Sequence, residues 1–294
     1  MISTNELVRG ATLAMLSMAL LALPALGEEA VTLSVLAQRT HVHGIAVDPT
    51  EPSRLYLATH HGFFLVSPDG LATLVSADNH DFMGFTPHPT DPAILYASGH
   101  PAGGGNLGVI ASIDGGHTWL PLAEGANGPV DFHQMDVSLI DPKTMYGVHG
   151  GIQVSRDGGH TWQMVAPRPD RLIDLAASAA DRDTIYAATE SGLKVSRDGG
   201  VSWKPEPVAT GPTSMVEVGR DGTIYAFVLG RGLISTSEER LPNWETLSNG
   251  FGDGYVLHLA IDPTDGDKLY AALHDGRVLA SSDGGRLWHP FGGL

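Results

Sequence analysis

SIDGGHTW (Ser112–Trp119), SRDGGHTW (Ser155–Trp162), SRDGGVSW (Ser196–Trp203) and SSDGGRLW (Ser281–Trp288) are four copies of one octapeptide. Each reads S-x-D-G-G-x-x-W, and a fixed peptide recurring at a near-constant period marks one structural unit, copied. Eroded versions begin at Ser67 and Ser237, so the first serines fall at 67, 112, 155, 196, 237 and 281, spaced 41–45 residues apart. Ahead of the octapeptide, each unit carries a strand closed by a turn such as Asp48-Pro49 or Asp262-Pro263. A tyrosine-bearing strand follows (Tyr56, Tyr96, Tyr146, Tyr186, Tyr225, Tyr270), then a strand running into the serine. Four short antiparallel strands per unit, repeated radially, predict an all-β, six-bladed β-propeller with the octapeptides as turns. Val31 to Leu36 alternates like one more strand, expected to add to blade six and close the ring.

The octapeptide resembles the BNR, or Asp-box, repeat of sialidase-like propellers, and the repeat spans nearly all of the chain after residue 30. The resemblance implies relatives among sialidases, xyloglucan-degrading enzymes, sortilin-type receptors and the photosystem II assembly factor. The chain is similar as a whole to small exported propellers labelled glycosyl hydrolase. It also implies that the boxes are structural, on the face away from any active site. Asp-Gly-Gly explains itself as a tight turn, with glycine at positive φ and the Asp side chain accepting backbone N–H bonds.

Bulk properties narrow the function. Arg9, an apolar run from Ala11 to Leu23, and Ala25-Leu26-Gly27 have the layout of a secretory signal peptide, residues 1–27, with the propeller over 28–294. The expected location is therefore periplasmic or extracellular, with no membrane span after cleavage. The net charge of −16 repels nucleic acid and attracts cations. With no cysteine, an exported chain stands on core packing alone, as an expected monomer. It also has 14 histidines.

Aligning the blades on their tyrosines brings ten of those histidines to or near one face. At the start of the inner strand, blade one has His41 and His43, blade two Asp81 and Met83, and blade three Asp131 and His133. Residues i and i+2 of a strand share a side, so three adjacent blades present these pairs together. Second-strand ends add His60, His61, His100, His149 and His274, with Glu190 in blade four. The Gly-rich loop Pro101 to Asn106 is placed to act as a flap. Imidazole, carboxylate and thioether form a first-row transition-metal ligand set, copper first and zinc second. His43, Met83, His133 and His41 are the leading ligands, with Asp81, Asp131, His60 and His100 as ligands or orienters of the imidazoles.

Two other functions are open. A glycoside hydrolase would use Asp81 and Asp131, or either with Glu190, as its paired carboxylates on a glycan. Sialidase chemistry fits poorly, because His41-Val42-His43 stands where that family carries its first arginine, and Arg156 and Arg197 lie inside boxes. The third reading is a docking scaffold, whose partner is another exported protein.

Overall fold

The computed structural model describes residues 30–169 and 171–293; the expected signal peptide, residues 1–27, lies outside them. The described residues form an all-β, six-bladed propeller of four-stranded antiparallel blades. Inner strands Val42–Val47, Asp81–Pro87, Gln134–Val137, Leu172–Ala177, Thr213–Val218 and Val256–Asp262 pack side by side in a closed ring. All six marker tyrosines lie on second strands.

The core is divided by the repeat. Each sheet is apolar on both faces, so a cluster of buried side chains fills each of the six gaps between blades. The four intact boxes share one bonding scheme. In Ser155–Trp162, Gly159 N–H donates to Ser155 Oγ (2.9 Å), Ser155 Oγ–H donates to Asp157 Oδ1 (2.8 Å), and Thr161 N–H donates to Asp157 Oδ1 (2.8 Å). Trp162 Nε1–H closes the turn on Gly159 O at 2.9 Å. The hydrogen bonds from the Thr161 side chain and backbone pull Asp157 down to about 2. These carboxylates are fully engaged in holding turns.

Ring closure differs from the sequence expectation. Val31–Thr32 is a strand, but it pairs with Leu71–Ala72 on the outer edge of blade one, giving that sheet a fifth strand. Leu33–Ala37 is a helix. Thr32 caps it by accepting from Val35 N–H, and Leu36 is buried in the core between blades one and six. Gly276 of blade six makes room for it: at φ +83°, a Cβ there would lie 2.6 Å from Ala37 Cβ. The outer edge of blade six is covered by His289–Pro290 instead. Among the described residues, closure is therefore by inner-strand packing and a helical wedge, with no strand exchanged between blades one and six.

Candidate metal centre

The middle residue of each triplet, in its inner strand or just ahead of it, anchors the other two. Val42, Phe82 and Phe132 are buried between blades, which turns His41, His43, Asp81, Met83 and His133 toward the mouth of the central channel. His41, His43, Asp81, Met83 and His133 line one funnel there, of about 530 Å³, together with His60 and His100 from second-strand ends. Asp131 is buried just behind the wall. Blade two needs a glycine to bring Asp81 and His100 opposite one another. Gly99 has φ +123°, and a Cβ on it would stand 1.9 Å from Asp81 O.

The inner group is His43, His60 and Asp81. His60 Nδ1 lies 2.7 Å from Asp81 Oδ2 across the gap between blades one and two. An ionised carboxylate only accepts, so in this contact Nδ1 carries the hydrogen; a ring with its hydrogen on Nε2 instead turns the Nδ1 lone pair, beside the carboxylate, toward a shared cation. His43 Nε2 lies 3.8 Å from Asp81 Oδ1. Both atoms are buried, and neither has a hydrogen-bond partner among the described residues. Burial and then the neighbouring His60 ring hold the His43 pKa down at about 4, so the ring is neutral at physiological pH. His41 stands at the rim, its ring 5.7 Å from that of His60. Met83 is buried in the wall.

The outer group is His100, Asp131 and His133. His100 Nε2 and His133 Nε2 converge on Asp131 Oδ2, at 3.0 and 2.8 Å. Burial opposes the Asp131 charge, but the hydrogen bond from His133 and the nearby imidazoles outweigh it and hold its carboxyl below the usual range. The same bond raises the pKa of His133. The Pro101–Asn106 loop is tied down: Gly105 O accepts from His100 Nδ1 at 2.7 Å, and Asn106 Nδ2 donates to Pro129 O at 3.0 Å.

Two other sequence candidates, Glu190 and His149, sit apart. Glu190 is ion-paired to Arg171 through both carboxylate oxygens and is not among the residues lining the funnel. His149 Nδ1 bonds the backbone of Asp131. His274, stacked on Tyr255, does line the funnel, from the blade-six side.

Sequence reading missed the channel below the funnel, a cavity of about 370 Å³ lined by Asp136, Asp174 and Glu217. His43, His258 and Gln134 line both spaces. An inner strand leaves backbone groups unpaired along its channel edge, and side chains of the preceding blade satisfy some of them. Asp136 Oδ2 accepts from Ala177 N–H (2.7 Å), Asp174 Oδ2 from Val216 N–H (3.0 Å), and Ser98 Oγ from Phe132 N–H (2.9 Å). These are clasps between blades. The carboxylates lie deep in the molecule yet line the open channel, so they are only half-buried. Their depth pushes Asp136 up to about 6, Asp174 up to about 8, and Glu217 well above its ordinary value. A charged residue inside an otherwise apolar inner strand, as in Val216-Glu217-Val218, is the signal that could have found them.

Among known proteins, the sequence pattern of the BNR/Asp-box repeat matches residues 153–164, the second intact copy. No curated protein sequence matches the chain. Among solved structures, a GH74 xyloglucanase from Xanthomonas campestris is similar over 85% of this chain, at 22% identity and a TM-score of 0.57. The chain spans 45% of that enzyme's length. YCF48 bound to D1 peptide is similar over 92% of this chain and 85% of its own, at 16% identity and a TM-score of 0.54. A gluconolactonase from the same Xanthomonas species is similar over 80% and 84% of the two chains, at 14% identity and a TM-score of 0.59. At these identities the likeness is one of fold.

Proposed function

We propose that this Asp-box propeller is an exported binding protein that holds a first-row transition metal in the funnel of blades one to three. The single observation that carries the reading is the pair His43 Nε2 and Asp81 Oδ1. Two complementary donors are buried 3.8 Å apart and without a hydrogen-bond partner among the described residues, beside an imidazole in contact with the same carboxylate. Buried polar atoms without partners cost about 1–3 kcal/mol each, a cost that a bound cation removes. A cation between them would sit about 2 Å from each, the length of a zinc or copper bond to nitrogen or oxygen. Met83 in the same wall gives the set some softness, which favours copper, while the His/Asp donors suit zinc equally.

The glycosidase alternative rests on the xyloglucanase likeness and on Asp81 and Asp131. It is weakened by the engagement of each carboxylate with imidazoles, and of Glu190 with Arg171. A docking role for the same face rests on the likeness to YCF48.

The test is metal content of the untagged protein by mass spectrometry, followed by calorimetric titration with Cu(II) and Zn(II). The reading predicts stoichiometric metal, or submicromolar binding, with at least one equivalent lost in His43→Ala. Absence of both in the folded wild type refutes it, and hydrolysis of xyloglucan oligosaccharides lost in Asp81→Asn would establish the alternative.

A further inference from the structure

The outer group has features that the inner centre does not explain. Gly105 O accepts from His100 Nδ1, so the hydrogen of a neutral His100 is on Nδ1 and its Nε2 bears a lone pair. That lone pair points at Asp131 Oδ2 from 3.0 Å, an acceptor facing an acceptor. His133 approaches the same oxygen at 2.8 Å, while Asp131 Oδ1 is buried with no partner among the described residues. A cation beside this carboxylate would accept the imidazole lone pairs and a carboxylate oxygen together, turning the acceptor-to-acceptor contact at His100 into coordination.

Accessibility differs between the groups at one histidine each. The His133 side chain of the outer group is 64% exposed and that of His43 in the inner group 19%, while His60 and His100 are alike at 41%. Three protein donors leave a borderline metal with an unfilled position, and here that position faces solvent. Asp81 and His100 are cross-strand neighbours, so the two groups adjoin.

We infer that the funnel has two cation positions. The deep one is at His43, His60 and Asp81; the second, exchangeable one is held by His100, Asp131 and His133, with its remaining coordination open to water or an anionic oxygen ligand. This rests on the metal-binding reading of the face, and adds that the rim position binds and releases its ion independently of the deep one. Arrangements of this class keep a labile metal where an exogenous ligand can reach it.

The experiment is titration of metal-free protein with Co(II), followed by calorimetry and by the visible absorption of low-symmetry cobalt. Wild type, His133→Gln, His43→Gln and the double variant are compared, with near-UV circular dichroism as the fold control. His100→Gln replaces His133→Gln if the latter disturbs the fold. The inference predicts two equivalents in wild type, one in each single variant and none in the double. A single equivalent that survives His133→Gln and is lost in His43→Gln overturns the rim position while leaving the proposed function standing. A single equivalent lost in either variant means one shared site and also overturns it. No cobalt, zinc or copper binding at all overturns both.

Discussion

Asp81 has two tasks in this account: Oδ2 orients His60 and Oδ1 faces His43. Asp81→Asn keeps the shape but removes the charge and one acceptor, so metal affinity should fall at least about tenfold by calorimetry. The melting temperature of the metal-free protein should stay within about 2 °C, because the orphaned acceptor is removed along with the charge. The gathering of these residues was legible in the sequence, since His41/His43 and Asp81/Met83 obey the two-residue period at the start of a strand, and Asp131/His133 keeps the same spacing just ahead of Gln134–Val137. Their pairing was not. His60 meets Asp81 across one blade gap, and His100 meets Asp131 across the next, so those distances depend on the packing angle of whole sheets.

The Asp box shows how local a repeat element can be. Every hydrogen bond of the Asp157 carboxylate is made within its own octapeptide. Asp157→Ala should therefore cost about 1–2 kcal/mol, seen as a loss of a few degrees in melting temperature, with metal binding unchanged. A change in metal stoichiometry would show that the boxes are not confined to structure. Because the box is local, four copies sufficed to read the blades from the sequence. The Val31–Leu36 segment failed the same test because two patterns overlap in it. Its alternation reads as a strand, but Leu33 and Leu36 also stand at helical spacing behind a capping threonine. Tertiary packing of Leu36 between blades one and six decides for the helix.

At the scale of the whole ring, the clasping carboxylates give stability a definite pH dependence. Between its unfolded value near 3.8 and its folded value of about 8, Asp174 binds more protons folded than unfolded, so its contribution to stability falls as pH rises through that window. Asp136 acts the same way up to about 6. His43 and His258 are lowered from 6.5 to about 4, chiefly by burial, and have the opposite sign: unfolded chains bind the extra protons, so stability rises from about pH 4 to 6.5. The two effects oppose each other below pH 6.5, leaving the acids alone above it. The melting temperature should therefore decline between pH 6.5 and 8. Asp174→Asn keeps an acceptor for Val216 N–H and removes the charge. It should flatten that decline and raise stability at pH 8 by about 1–3 kcal/mol. An unchanged pH slope in the variant would mean that channel water already carries the charge at little cost.

The central claim, a metal on the histidine face, is tested most directly by anomalous diffraction. Crystals of residues 28–294 soaked in zinc or copper would be measured above and below the corresponding absorption edge. The account predicts an anomalous peak between His43 Nε2 and Asp81 Oδ1, close to His60. A fully loaded crystal whose peaks all lie elsewhere, or nowhere, would contradict it.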